Sequence, residues 1–308
     1  MAGEVPDPVI RSLLFAPANE ARKVRRLVES GADAVVLDLE DAVADSQKIA
    51  ARAIARAALP GLRGPLRCIR VNPLGTGLTE GDIAAAVCAD LDALVLPKVE
   101  DPRDVEIADR LIRLSEEREG LAPGSILLLV LVETARGLTV SDRVARFADR
   151  DMRIVLGSGD LGTDLARPTI RGSLSDALAY GRGKLVYDAR AAGLPGPIDG
   201  PCLFVRDLDA LEADCRVGAE LGHTGKVCIH PAQVPVVNRV FSPPPEELDY
   251  ARQVIEAFEK AEAAGGAAID VGGVFIDYPI VYKARRILAL AASIAAVEGR
   301  VAKQGNVQ

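Results

Sequence analysis

Glu133 closes the apolar run Ile126-Leu-Leu-Leu-Val-Leu-Val-Glu133, and Asp160 closes Arg153-Ile-Val-Leu-Gly-Ser-Gly-Asp160. Such runs read as buried strands, and an ionised carboxylate beside buried backbone is costly unless an opposite charge meets it. Two of them at the ends of nearby strands point to a divalent cation. Magnesium fits, because it is held by one or two carboxylates and takes its other oxygens from water and substrate. The competing reading is that each acid pairs with an arginine or caps the helix that follows. With only His223 and His230 and no clustered thiolates, the sequence argues against a structural zinc site or a three-histidine centre.

Other polar residues stand at the ends of apolar runs: Asp38 and Glu40, Arg70 and Asn72, Lys98, and His230. Arg70, between Ile69 and Val71, offers a guanidinium that can grip a small carboxylate such as a 2-oxo acid through two parallel hydrogen bonds. Its structural alternative is an ion pair with Asp38 or Glu40. The stretch Gly157-Ser-Gly-Asp-Leu-Gly162 matches a dinucleotide cradle, but Asp160 would put a negative charge inside it, so the glycines are read as allowing close backbone approach to a metal-bound ligand. Near the start, Asn19 is placed to cap a helix over Ala21 to Ser30 whose Val24, Leu27 and Val28 share one face. Arg22 and Arg26, four apart on another face, suit either phosphates or plain solvent.

Eight apolar, β-branched runs alternate with helical stretches and position these residues. They are Ser12 to Pro17, Ala34 to Glu40, Leu66 to Asn72, Ala93 to Lys98, Ile126 to Glu133, Arg153 to Asp160, Gly200 to Val205 and Lys226 to His230. Pro and Gly crowd the seventh, so Ile198-Asp199 is its alternative strand end. Eight parallel units joined by right-handed crossovers predict a (β/α)₈ TIM barrel over residues 1–242, with a doubly wound open sheet as the alternative. After the breaker Ser242-Pro-Pro-Pro245, residues 243–308 predict a C-terminal helical extension: a helix over Glu246 to Ala264, a short segment Val271 to Asp277, and a helix over Pro279 to Glu298. Sixty residues beyond a bare barrel predict a lid or an oligomer contact.

A net charge of −7 argues against a general nucleic-acid or membrane surface, so an anionic ligand needs a local basic patch. Aromatic residues make up 4% with no Trp, which leaves an aliphatic interior of the kind parallel sheets have. The five cysteines, at 68, 88, 202, 215 and 228, have no zinc-like spacing and read as reduced core residues. Met1 to Pro8 carries Glu4 and Asp7 in place of a basic leader, and a cytoplasmic protein is expected.

The ordered set Arg11-Ser-Leu-Leu-Phe-Ala-Pro17, Asp38-Leu-Glu-Asp41, Arg70-Val-Asn72, Leu96-Pro-Lys98, Val132-Glu-Thr134, Gly157-x-x-Asp160-Leu-x-x-Asp164-Leu165 and Gly225-Lys-x-x-Ile-His-Pro-x-Gln233 resembles the CitE-like (citrate lyase beta-subunit) and malyl-CoA lyase branch of the HpcH/HpaI aldolases. That resemblance implies a barrel with Mg²⁺ on Glu133 and Asp160, Arg70 binding substrate, and CoA contacts from Phe15, Arg22 and Arg26. It implies a homotrimer in which Asp277, within Phe275-Ile-Asp-Tyr-Pro279, completes a neighbour's site as acid/base. It also implies a carbon–carbon lyase that cleaves or forms malyl-, citramalyl- or citryl-CoA, releasing an acyl-CoA and a 2-oxo acid. The chain departs from the family in having Pro17-Ala-Asn19 where Pro-Gly-Asn is usual, and in the lean Gly-Ser-Gly before Asp160. The alternatives are a pyruvate-type class II aldolase without CoA, a malyl-CoA thioesterase, or a non-catalytic subunit that binds a thioester or carrier.

Overall fold

A computed structural model describes residues 8–147, 149–167 and 178–305, with side chains through residue 299. The expectation about a leader therefore lies, Pro8 apart, outside the described residues. The chain divides into two compact units, Ile10–Asn238 and the part from Arg239 onward.

The first unit is a closed barrel of eight parallel strands in sequence order: β1 Ser12–Pro17, β2 Ala34–Asp38, β3 Leu66–Arg70, β4 Ala93–Leu96, β5 Leu127–Val132, β6 Met152–Leu156, β7 Ile198–Asp199 and β8 Gly225–Cys228. Closure is made by β1 and β8, with Leu13 opposite Val227. The barrel, not the open sheet, is the architecture. Because side chains alternate along a strand, one set from each strand points inward. Leu13, Val36, Cys68, Val95, Leu129, Leu131, Val155, Ile198 and Val227 form one continuous core across all eight strands. The other set packs on the helices, as where Val132, Ile154 and Leu156 meet Leu138, Leu161 and Leu185.

Helix starts follow local chemistry. Asp101 and Asp104 form a reciprocal capping box for the helix Pro102–Arg118, and Thr134 accepts the Gly137 N–H at 3.0 Å to open Ala135–Ala145. A side chain at Gly137 would stand 2.3 Å from the Val99 carbonyl, so glycine lets this helix seat directly on the turn after β4. Two expectations are corrected here. The seventh strand is Ile198–Asp199 and not Gly200 to Val205, because Gly200 presses against Ser158, where a Cβ would meet Oγ at 2.4 Å, and the chain leaves the sheet. The first helix stops at Arg26, short of Ser30, and turns out through Gly31 at φ 71°.

Charge clusters bury themselves behind the sheet. Arg150 reaches Asp109 at 2.7 Å and Glu116 at 2.8 Å, with side chains 0–6% exposed. Lys226 neighbours the inward Val227 and so faces the helices, where it contacts Asp199 and Asp214 at 2.6 Å each, and Arg182 contacts both acids as well. The five cysteines are buried and free, and burial pushes the Cys215 thiol up to about 12.

In the second unit the helix Pro245–Ala263 packs on the helix Tyr278–Gly305 around Val254, Phe258, Ile276 and Val281. Between them lies a hairpin, β9 Ile269–Val271 and β10 Val274–Ile276, turned by Gly272 and Gly273 at φ 64° and 83°. Among the described residues no helix is long and apolar enough to cross a membrane.

Candidate active site

Extending each inward row past the C-terminal end of its strand predicts the lining of the barrel mouth. After Phe15 comes Pro17; after Val36, Asp38; after Cys68, Arg70; after Leu131, Glu133; after Val155, Gly157; after Val227, Ile229. All of these line one cavity of about 440 Å³, together with Asp41, Leu156, Gly159, Asp160 and Leu203. Two-residue periodicity and barrel closure thus bring Phe15, Arg70 and Glu133 to a single mouth, and the short helix Ser158–Asp164 adds Asp160 to it; the convergence of Arg70, Glu133 and Asp160 is the one that the sequence predicts.

Glu133 is fully buried. Its Oε1 accepts the Lys98 backbone N–H at 2.9 Å, while Oε2 has no hydrogen-bond partner among the described residues. Burial, reinforced by the negative charges of Asp160 and Glu40, pushes its carboxyl up to about 9. Gly157 makes room for this arrangement: a Cβ there would stand 2.2 Å from Glu133 Cβ and 2.5 Å from Oε2. Asp160 sits in the first turn of the short helix Ser158–Asp164, exposed on the rim of the same cavity. Gly159, beside it, faces open space.

Arg70 turns into the mouth and also makes the structural ion pairs. Nε and Nη2 donate to the two Asp38 oxygens at 2.7 and 2.6 Å, and Nη1 lies 2.7 Å from Glu40 Oε2. Burial opposes its charge, but Asp38 and Glu40 outweigh that and hold its pKa above the usual value. The guanidinium also stacks 5.3 Å over the Phe15 ring. Lys98 Nζ meets Glu40 Oε1 at 2.8 Å and Asp41 at 3.4 Å. The Glu40 oxygens make these ion contacts without well-aligned hydrogen bonds, and burial raises the Glu40 pKa despite Arg70. The mouth carries more acids than bases.

Several expected residues do other work. Asn19 does not cap the first helix: Glu20 occupies that position without a side-chain cap, and Asn19 Nδ2 donates to Gln47 Oε1. Asn72 is a buried clamp on Asp82 and Lys48. His230 Nδ1 accepts the Ala232 N–H at 3.1 Å, capping the turn Pro231–Gln233. Arg22 and Arg26 are exposed, with no ion-pair partner among the described residues, on the helix that leaves β1, and neither lines the cavity. Asp277 belongs to the second unit, half-buried between β10 and the last helix. The Lys98 backbone is the feature the sequence did not announce: its φ of 51° is left-handed, where a non-glycine residue is strained by about 1–2 kcal/mol. Pro97 before it was the available signal, since the position after a turn proline often needs a positive φ.

An orphaned carboxylate oxygen, a second acid on the same rim and a neighbouring guanidinium suit a dication with a small anionic ligand. A parallel eight-stranded barrel with such a mouth defines the class as a (β/α)₈-barrel enzyme whose chemistry sits at the strand C-termini. A family model described as HpcH/HpaI aldolase/citrate lyase matches residues 11–231. The citrate lyase subunit beta of Leuconostoc mesenteroides is 32% identical over 283 residues, covering 91% of this chain and 93% of the relative. A (3S)-malyl-CoA thioesterase of Cereibacter sphaeroides is 34% identical over 290 residues, covering 93% and 96%. The crystal structure of CitE from Mycobacterium tuberculosis with magnesium, acetoacetate and coenzyme A is 29% identical with a TM-score of 0.71, covering 93% of this chain and 100% of that one. The chain belongs to the HpcH/HpaI aldolase/citrate lyase family, among whose members the citrate lyase subunit is a lyase.

Proposed function

We propose that this chain cleaves, or in reverse forms, the bond between the α and β carbons of a hydroxy-dicarboxylic acyl-CoA such as malyl-, citramalyl- or citryl-CoA, using Mg²⁺. The observation that carries the proposal is the buried, partnerless Oε2 of Glu133, sharing a cavity with Asp160 and Arg70. Glu133 and Asp160 hold the metal. When bound, it supplies a Lewis acid for the carboxylate and hydroxyl oxygens of the substrate. Arg70 keeps two of its five N–H groups clear of Asp38 and Glu40, and these anchor the 2-oxo acid portion. Leu131, Val227 and the Phe15 ring exclude water from the reacting carbons.

Cleavage releases the β-hydroxyl proton to water, leaves the bonding pair on the thioester side as an enolate and turns the β carbon into the carbonyl of the oxo acid. The carboxyl of Asp277, supplied by a neighbouring subunit of a trimer, gives its proton to the enolate α carbon, and in the condensing direction removes it. Phe15, Arg22 and Arg26 receive the CoA portion, the two exposed guanidinium groups meeting its phosphates.

A second reading, hydrolysis of the same thioester, is favoured by the 34% identity to a malyl-CoA thioesterase. One experiment separates the readings: a panel of hydroxyacyl-CoA thioesters incubated with and without Mg²⁺ and followed by mass spectrometry. Cleavage yields a shorter acyl-CoA plus a 2-oxo acid, whereas hydrolysis yields free CoA plus the intact hydroxy acid. Absence of Mg²⁺-dependent turnover of any thioester would overturn both.

A further inference from the structure

Lys98 is fastened at both ends to different halves of the mouth. Its backbone N–H donates to Glu133 Oε1 at 2.9 Å, and its ammonium holds Glu40 Oε1 at 2.8 Å. Glu40 in turn presents Oε2 to Arg70 Nη1 at 2.7 Å. The backbone contact depends on φ 51°, a conformation that glycine adopts freely and a lysine only under strain. The turn has little room to relax, because Gly137 brings the helix after Glu133 directly against the Val99 carbonyl. A glycine at 98 would make the same N–H contact without strain, so the lysine is explained only if its side chain contributes something that glycine cannot.

We propose that Lys98 is a positioning residue that sets the Glu133 carboxylate and the Arg70 guanidinium in register: its left-handed backbone occupies Oε1 and leaves Oε2 as the oxygen free for a cation, while its ammonium fixes Glu40 and through it Arg70. The inference rests on the proposed function for the identity of the two ligands, a dication at Glu133 and a small carboxylate at Arg70. It divides one residue into two separable tasks. The backbone governs cation affinity, and the ammonium governs anion affinity. Without the ammonium, Glu40 keeps only Arg70 as a cationic partner, draws the guanidinium toward itself and weakens its hold on the anion.

The test uses the full chain, with Mn²⁺ as the metal probe followed by electron paramagnetic resonance in the absence of any substrate, and pyruvate as the anion probe titrated calorimetrically at saturating Mn²⁺. Lys98→Gly is expected to keep the wild-type Mn²⁺ Kd within about twofold and to weaken pyruvate about tenfold or more, and Lys98→Met to weaken pyruvate equally. Lys98→Arg is expected to restore most of the pyruvate affinity. Lys98→Val, whose β-branch resists a positive φ, is expected to weaken Mn²⁺ about tenfold. Should the valine variant not fold, Lys98→Thr, also β-branched, carries the same backbone test. Pyruvate affinity at the wild-type level in the glycine and methionine variants, or Mn²⁺ affinity at the wild-type level in a folded valine or threonine variant, overturns the proposal. Failure of the metal reading looks different: Glu133→Gln would then bind Mn²⁺ as tightly as the wild type, or the wild type would bind none, and the inference would fall with it.

Discussion

Replacing Glu133 by glutamine removes one charge and almost no volume, and in metal-free protein its effect on stability should reverse sign with pH. The buried carboxyl keeps its proton up to about pH 9, against an ordinary 4.5 in the unfolded chain. Below 4.5 both states are protonated and the group contributes no pH dependence. Between the two values the unfolded chain binds fewer protons than the native state, so stability falls as pH rises, by about 1.4 kcal/mol per unit. By about pH 7.5 the wild type has lost about 4 kcal/mol in this way. The glutamine side chain would escape that loss, but its amide NH₂ inherits the partnerless position of Oε2 at a cost of about 1–3 kcal/mol.

The Glu133→Gln variant should therefore be more stable than the wild type by about 2 kcal/mol near pH 7.5 and less stable by about 1 kcal/mol near pH 5. Thermal melts in EDTA across that range read the crossing directly, and at neutral pH the gain should appear as a rise of about 4–8 °C. Saturating Mg²⁺ should raise the wild-type melting temperature and leave the variant where it was. A variant less stable than the wild type by the same margin at every pH would refute the reasoning, because Glu133 would then not be held protonated.

Four further outcomes are expected. Gly157→Ala, whose new Cβ would stand 2.2 Å from Glu133 Cβ, should displace the carboxylate and lower Mg²⁺-dependent kcat about 100-fold or more in steady-state assays. Arg150→Met, far from the mouth, should strand Asp109 and Glu116 and cost about 3–5 kcal/mol in urea denaturation while leaving kcat at low temperature within about twofold. Joint replacement of Arg22 and Arg26 by alanine should raise KM for a CoA thioester about tenfold at low salt, with a smaller effect at high salt and none on pyruvate binding. Inactive Arg70→Ala and Asp277→Ala chains, mixed and reassembled, should regain part of the activity if each site draws on two subunits, and verified mixed oligomers without activity would exclude the sharing.

The barrel was legible because each buried strand announced itself as an unbroken apolar run, and because polar residues at the ends of those runs can only face the mouth or the helices. Asp38, Arg70 and Glu133 fall at the mouth for that reason, and Asp160 reaches it from the short helix Ser158–Asp164. The same rule did not place β7, where two residues suffice to pair with Val155 and Lys226 and no apolar run marks them. Lys226 looked like the polar start of a strand. Its burial follows from Asp199 and Asp214, partners 27 and 12 residues away that spacing alone does not connect. Arg70 was open between gripping substrate and pairing with Asp38 or Glu40; the structure shows the pairing and leaves part of the guanidinium for a ligand. The left-handed backbone of Lys98 stayed hidden because lysine is not a residue type that signals it.

With Glu133 holding its proton, Asp38, Glu40, Asp41 and Asp160 stand against Arg70 and Lys98 around the mouth, four acids against two cations. On the proposed function, an incoming oxo acid or dicarboxylic thioester, itself negative, would meet a repelling entrance until a doubly positive ion had entered. The excess of acids would then impose a sequence of arrival, metal before organic reactant, and a departing product would leave more readily than the ion that admitted it.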